Sequence, residues 1–213
     1  MANRRAPVTC LLVVAVLGAT RAGAQDGAES PQAAVAAWQR AAGANDWGAA
    51  FAVLLPAGRP EMARDLLIAL NLAVAMADPD DPILKDPHLP EAESARKRQA
   101  FAGATGALRA AWRPYGMEGL VGAAPLAPGT RERLDAALAA ADVAALMRDT
   151  MAAFTRAAPA IGLAPEALPR VPPLGAVTRY AVAGDRATAR DGSTTVDFVR
   201  TGGRWYLAPP PGQ

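Results

Sequence analysis

Apolar side chains recur every three to four residues along most of this chain, and that spacing predicts amphipathic helices. The predicted helices cover residues 31–42, 47–55, 60–77, 91–112 and 130–158. Ser30 and Asp46 stand where N-caps are expected, and Pro31 occupies the first helical position, which proline favours. The segment 130–158 forms either one long helix or two helices that meet near Ala141-Asp142.

The pattern changes in the carboxy-terminal part, where apolar and polar positions alternate over short runs. The runs cover residues 177–182, 186–190, 194–200 and 205–208. Gly184-Asp185, Asp191-Gly192 and Gly202-Gly203 separate the runs, and such pairs allow the positive φ of two-residue hairpin turns. The alternation and the turns together predict an antiparallel β-meander.

Helices followed by strands predict an α+β fold. In this arrangement the N-terminal helices pack on the C-terminal antiparallel meander, in a cone-like shape, and the middle of the chain is rich in helix. Segments rich in proline or glycine, at residues 78–90, 113–129 and 159–173, predict connections. We expect a single domain over residues 30–208, with a flexible start at 25–29 and a flexible end at 209–213.

The first 24 residues have the features of a secretory signal peptide. Arg4 and Arg5 form a basic head, Leu11–Ala19 is an apolar run, and Ala22-Gly23-Ala24 has the small residues that a signal peptidase requires. The run is shorter than the ~20 apolar residues of a membrane span. We therefore expect cleavage before Gln25 and a periplasmic or secreted protein without a stable membrane anchor. An uncleaved anchor is the alternative.

Removal of this leader changes the charge of the chain and its cysteine content. The whole chain has 22 Lys and Arg against 20 Asp and Glu; three of the arginines lie in the leader, so the remainder has a net charge of −1. That balance is unlike the basic surface that nucleic acids or acidic membranes attract. Cys10, the single cysteine, also lies in the leader. The expected mature protein therefore has no disulfide and no cysteine nucleophile or ligand.

Residue types that usually carry catalysis or bind metals are sparse in this sequence. His88, the single histidine, lies in a proline-rich loop without a serine motif nearby, and no G-x-S-x-G sequence occurs. Asp78, Asp80, Asp81 and Asp86 could offer oxygens to a hard cation, but the glycine and distal glutamate of an EF-hand are missing. Asp-Pro pairs also form ordinary turns. We expect no cofactor and no metal site.

Two parts of the sequence resemble the nuclear-transport-factor-2-like (SnoaL-like) proteins of bacteria. Residues 30–56 share an opening helix, an Ala-Asn-Asp-Trp turn at 44–47 and a second helix that ends at Leu-Leu-Pro. Residues 176–208 share the closing strands, with a Gly-Gly-Arg-Trp-Tyr turn before the last one. Residues 57–170 read mostly as helices where that family usually has a strand and a long sheet-crossing segment. A helical domain with a C-terminal β appendage is therefore the alternative architecture.

The resemblance implies a sheet covered by aromatic side chains, with or without an internal cavity. The aromatic residues expected to meet there, as core or as pocket lining, are Trp38, Phe51, Tyr180, Phe198 and Trp205.

Some proteins of this fold carry out acid–base chemistry on carbonyl compounds with Asp and Tyr side chains. Here the strands could supply Asp197, Tyr180 and Tyr206, although alternation directs Asp197 away from the face of Phe198. No catalytic residue of the family matches this sequence by motif.

These observations favour an exported, non-catalytic binding or accessory module for a small apolar ligand or a protein partner. One alternative is a structural or interaction protein that forms a homodimer through its sheet. Another is an isomerase- or dehydratase-like enzyme of the same fold, for which Asp197 would have to be buried beside Tyr180 or Tyr206.

Overall fold

The computed structural model describes residues 26–81, 88–123, 129–192 and 194–208. The predicted signal peptide and the predicted flexible end at 209–213 lie outside these ranges. Within them, helices precede a four-stranded sheet, which confirms the α+β prediction. The helices are α1 Pro31–Ala44, α2 Trp47–Val53, α3 Arg59–Ala75, α4 Glu91–Trp112, α5 Thr130–Ala140 and α6 Val143–Ala157. None of the helices in the described ranges is long and apolar enough to cross a membrane.

Side-chain caps determine where several helices begin. The Ser30 hydroxyl and the Asp46 carboxylate each accept a hydrogen bond from the amide three residues further on, at 3.1 and 3.0 Å. Asp142 caps α6 in the same way, so α5 and α6 are separate helices. Helix α1 extends past its predicted end at residue 42 and includes Gly43. The helix is closed instead by Asn45, which adopts the left-handed conformation (φ 51°) that asparagine tolerates.

The strands form one antiparallel sheet in the order β1-β2-β3-β4, which confirms the predicted meander. The strands are β1 Val177–Ala183, β2 Arg186–Asp191, β3 Thr194–Thr201 and β4 Arg204–Leu207. Gly184, Gly192 and Gly202 adopt positive φ in the three hairpin turns.

The core extends from the helices to one face of the sheet. α6 contacts α2, α3 and α4, and its side chains Leu146, Met147 and Phe154 are at most 1% exposed. α1 and α2 connect this helical layer to the sheet through contacts with β4. Phe198 of β3 and Leu207 of β4 are register partners and are both buried on the face that the helices cover.

The outer edge of β4 is covered by two segments from the amino-terminal part of the chain. Ala28 and Trp205 exchange backbone hydrogen bonds of 2.8 and 2.7 Å, and the Leu55 amide donates to the Leu207 carbonyl at 2.8 Å. Residues 26–29 are therefore held against the sheet. This differs from the flexible start expected from the sequence, because the edge of β4 offers backbone partners to Ala28.

Arg59 joins the end of α2, the amino-terminal segment and the sheet, although it is only 7% exposed. Its guanidinium donates to the carbonyls of Leu54 and Ala52, both at 3.0 Å, and lies 3.3 Å from the Asp26 carboxylate. The same group lies 5.9 Å from the ring centre of Tyr206 in β4, a cation–π distance. Carbonyls at a helix end lack partners within the helix, so this buried charge satisfies them.

Helix α2 approaches α6 closely at Gly48. A Cβ atom at this position would lie 2.7 Å from the Cβ of Arg148 and 3.2 Å from the carbonyl oxygen of Ala144. The close approach therefore requires glycine, and it determines where Trp47, the first residue of α2, is placed.

We expect Arg59→Ala to lower the free energy of unfolding by about 2–3 kcal/mol, because the Leu54 carbonyl loses the donor that Arg59 provides and the Ala52 carbonyl keeps only the Gly27 amide. The free energy of unfolding of Arg59→Lys should lie between those of wild type and Arg59→Ala, since an ammonium group cannot reproduce the planar array of donors of a guanidinium. Urea denaturation measures both changes. Arg96→Ala, at an exposed position of α4, is the matched control and should stay within about 0.5 kcal/mol of wild type. Equal urea midpoints for the Arg59→Ala and Arg96→Ala proteins would contradict this role.

Two glycine-to-alanine substitutions should change stability in opposite directions. Gly48→Ala should destabilise the protein by about 1–3 kcal/mol, because the new methyl group overlaps α6. Gly103→Ala in α4 meets no atom within 4 Å and should stabilise the protein by about 0.5–1 kcal/mol through helix propensity. Thermal unfolding compares the two. If both variants were more stable than wild type, helix propensity alone would determine the change in stability. That result would contradict the close approach of α2 to α6 at Gly48.

Candidate functional site

An apolar groove of about 600 Å³ lies between α1, α2 and α3 on one side and the ends of β3 and β4 on the other. We call it the α3–β3 groove. Its floor consists of the buried side chains of Trp38, Trp47, Phe51, Leu54 and Leu207. Its walls consist of the half-buried apolar side chains of Met62, Leu66, Leu174 and Val196. The volume is in the range of small-molecule sites, which is about 300–1,000 Å³.

The groove exists because β4 is shorter than β3. β4 pairs with residues 198–201 of β3 and ends at Leu207. Within the described residues, Thr194–Val196 therefore has no strand partner on that side. After Ala208 the sequence continues with three prolines, which lack the amide hydrogens that further strand pairing needs. Among the described residues, the end of β3 is thus left open beside α3.

Helix α3 presents two apolar faces. Leu67, Leu70 and Val74 are buried in the core, whereas Met62 and Leu66, one helical turn apart, line the groove. The second face forms one wall of the groove. Met62 and Leu66 were not predicted as pocket lining from the sequence. The i, i+4 spacing of Met62 and Leu66 is the sequence signal that could have identified it.

Two tryptophans on the groove floor differ in their hydrogen bonding. The indole nitrogen of Trp38 donates to the carbonyl of Pro172 at 2.7 Å. The indole nitrogen of Trp47 is buried and has no acceptor among the described residues. A buried donor without a partner is rare in folded proteins and unfavourable. The Trp47 N–H is therefore an unpaired donor enclosed by protein, and the accessible floor of the groove is apolar.

The charged residues that line the groove are both acidic. Asp65 of α3 is exposed at the rim and lies 3.3 Å from the side chain of Arg64, which is not part of the lining. Asp197 of β3 is half-buried. No Lys or Arg belongs to the lining among the described residues. The groove lining is therefore mostly apolar.

The five residues predicted as pocket lining are divided between two places. Trp38 and Phe51 line the groove. Tyr180, Phe198 and Trp205 lie on the strands outside the lining, and the rings of Tyr180 and Phe198 pack with their centres 6.1 Å apart. Phe198 is 1% exposed and Trp205 is 6% exposed, so both belong to the core beside the groove.

The residues considered for acid–base chemistry do not converge. Asp197 precedes Phe198 in the strand, so its side chain is on the opposite face from Phe198 and Tyr180. Tyr206 lies under the Arg59 guanidinium. No hydrogen bond joins Asp197 to either tyrosine in the described part of the chain. Burial raises the pKa of Tyr180, which keeps that phenol neutral.

The loop candidates lie between α3 and α4. His88 is exposed in a turn. Asp78 accepts a hydrogen bond from the Asp80 amide at 2.9 Å, as aspartates in turns do, and Asp80 lies 3.8 Å from Arg98. Asp86 lies outside the described residues. Within the described ranges, no three His, Cys, Asp or Glu side chains are grouped as metal ligands.

Among the described residues, Tyr115 has a large pKa shift and lies away from the groove. Burial, together with a 2.8 Å hydrogen bond to Asp149 of α6, raises the pKa of Tyr115 to about 12 from its ordinary 10.0. The phenol donates to a carboxylate, so loss of its proton would place two negative groups in contact. This bond fixes the turn after α4 against α6.

The bond between Tyr115 and Asp149 predicts an alkaline loss of stability. The raised pKa means that the stabilisation is complete below pH about 10 and is lost between pH about 10 and about 12. Tyr115→Phe should therefore be less stable than wild type at neutral pH by about 1 kcal/mol, and the difference should shrink across that window. Denaturant titrations of both proteins at several pH values measure this difference in stability. Tyr180 does not affect the comparison, because both proteins contain it. A difference that stays constant with pH would contradict the assignment.

The segments 30–56 and 176–208, which resemble the nuclear-transport-factor-2-like proteins, form α1, α2 and the sheet beside the groove. That resemblance stays a prediction, since the chain matches no family model, no curated protein and no solved structure.

Proposed function

We propose that this chain is an exported, non-catalytic binding module that holds a small apolar ligand in the α3–β3 groove. The observation that carries the proposal is a groove of about 600 Å³ with an aromatic floor and half-buried apolar walls. Apolar surface of this kind marks ligand sites in many proteins. Export rests on the predicted signal peptide, and the family resemblance adds the expectation of an apolar cavity.

Two other functions have weaker support in the geometry. Acid–base catalysis would need Asp197 beside Tyr180 or Tyr206, and the strand alternation separates Asp197 from Tyr180. Dimerisation through the sheet would need an exposed apolar surface, and among the described strand residues the exposed large hydrophobic side chain is Val182 of β1, the edge strand. That strand has a bulge between Thr178 and Ala181, where Arg179 adopts a φ of 56°. Such irregularities hinder pairing with a second strand.

The test is binding of phenylnaphthylamine, a neutral apolar probe whose fluorescence rises in apolar sites. We expect saturable binding of one probe per chain. Leu66→Glu places a carboxylate on the groove wall and should weaken binding at least about tenfold, because that charge would be desolvated by the probe. Leu72→Glu is the matched control: Leu72 is also on α3 but is 47% exposed and outside the lining, so binding should be unchanged.

Protein for this measurement is expressed with its own leader and recovered from the exported fraction. An intact mass that begins at Gln25 supports export, and an uncleaved leader would overturn it. Absence of saturable probe binding, or equal loss in the Leu66→Glu and Leu72→Glu proteins, would reject the groove as the binding site.

A further inference from the structure

We infer that the α3–β3 groove binds a short apolar peptide in extended conformation, which pairs with the backbone of Thr195 at the open edge of β3. The peptide has the pattern apolar-x-apolar, and both apolar side chains lie on the aromatic floor. The inference rests on the proposed function and adds to it the chemical class of the ligand and the backbone groups that orient it.

Two backbone hydrogen bonds show which way the backbone of β3 faces at each residue. The Arg200 amide donates to the Asp185 carbonyl on the β2 side at 2.8 Å, whereas the Asp197 carbonyl accepts from the Ala208 amide on the β4 side at 2.9 Å. Backbone groups alternate in direction along a strand, and β2 and β3 pair without a register shift. The N–H and C=O of Thr195 therefore both face the side of β4.

These two backbone groups are accessible from the groove. Thr195 lines the groove and is exposed, unlike the enclosed indole nitrogen of Trp47. β4 ends at Leu207, and among the described residues no strand or bridge partner lies beside Thr195 on that side. A strand edge with unpaired N–H and C=O groups is a template on which another extended chain can add.

The spacing of the two groups selects a peptide. In an antiparallel pair, one residue of the added chain exchanges two hydrogen bonds with its partner, through its own N–H and C=O. An –NH–CHR–CO– unit presents both groups on one side, whereas the N–H and C=O of a single trans amide point in opposite directions. A ketone or an ester can satisfy only one of the two groups of Thr195.

The faces of β3 determine the side-chain pattern of the peptide. Val196 lies on the same face as Phe198, two residues away, and Leu207 is opposite Phe198 on β4. Val196 and Leu207 both line the groove, so the groove lies on this face. The residue that pairs with Thr195 points to the other face, because cross-strand partners share a face. Its two neighbours point to the aromatic floor and are therefore apolar, as in other peptides that add to a sheet edge.

Three compounds test the backbone pairing by displacement of phenylnaphthylamine. The parent compound is cyclohexanecarbonyl-alanine isobutylamide, in which alanine is the central unit and both end groups are apolar. One derivative has an N-methyl group on alanine and loses the N–H that donates to the Thr195 carbonyl. The other has the methyl group on the isobutylamide nitrogen, whose N–H points away from β3. We expect the first derivative to bind about three- to tenfold more weakly than the parent, the value of one hydrogen bond, and the second to bind like the parent.

Thr195→Pro removes the donor on the protein side. Because the Thr195 N–H faces away from β2, its loss breaks no hydrogen bond between the strands, and proline is tolerated at such edge positions. Thr195→Ala keeps the N–H and is the matched reference. Thr195→Pro should bind the parent compound about three- to tenfold more weakly than Thr195→Ala does. If Thr195→Pro does not fold, hydrogen exchange of the Thr195 amide in the wild-type protein provides the same test: the parent compound should slow it and phenylnaphthylamine should not.

The failure of this inference differs from the failure of the proposed function. If phenylnaphthylamine does not bind, the groove is not a ligand site. If the probe binds but the parent compound does not displace it, or the two N-methyl derivatives bind equally, the groove takes apolar ligands without pairing to β3, and this inference alone fails. Binding of the parent compound only after removal of residues 209–213 would assign the open edge to the chain's own end and would overturn a separate peptide ligand.

Discussion

The packing of the helices against the sheet depends on the buried guanidinium of Arg59 and its partners. A positive charge is unfavourable in a protein interior unless its hydrogen-bonding groups are satisfied. Here the partners are the carbonyls of Ala52 and Leu54, the Asp26 carboxylate and the ring of Tyr206. They belong to α2, the amino-terminal segment and β4, so the charge is satisfied only when all three are in place. Leu54 is also part of the floor of the α3–β3 groove, and the contacts of Arg59 therefore position the groove.

Two hydrogen-bonding requirements are not met at the α3–β3 groove. β3 extends past the end of β4 without a strand partner on that side in the described residues, and Trp47 has a buried donor without an acceptor there. The buried indole of Trp112, by contrast, donates to Thr150 at 2.9 Å, whereas the buried hydroxyl of Thr130 in α5 also has no partner among the described residues. Departures from local consistency are often found at binding sites.

Features determined by neighbouring residues were predictable from the sequence. α4 occupies Glu91–Trp112 as its apolar spacing predicts, and the glycine turns place the four strands within a residue or two of their predicted ends. Features that depend on distant parts of the chain were not. Arg59 reads as an ordinary surface residue until Asp26 and Tyr206 are brought to it. The missing acceptor of Trp47 becomes visible only once all its neighbours are placed.

The pairing of Ala28 with Trp205 has a consequence for how the chain folds. These two residues are separated by nearly the whole described sequence, and their hydrogen bonds cover the outer edge of the last strand. Contacts of such long sequence separation form late and slowly. A chain that ends before β4 cannot make these hydrogen bonds, since the partner strand is absent. The native state is therefore reached only after β4 has been synthesised.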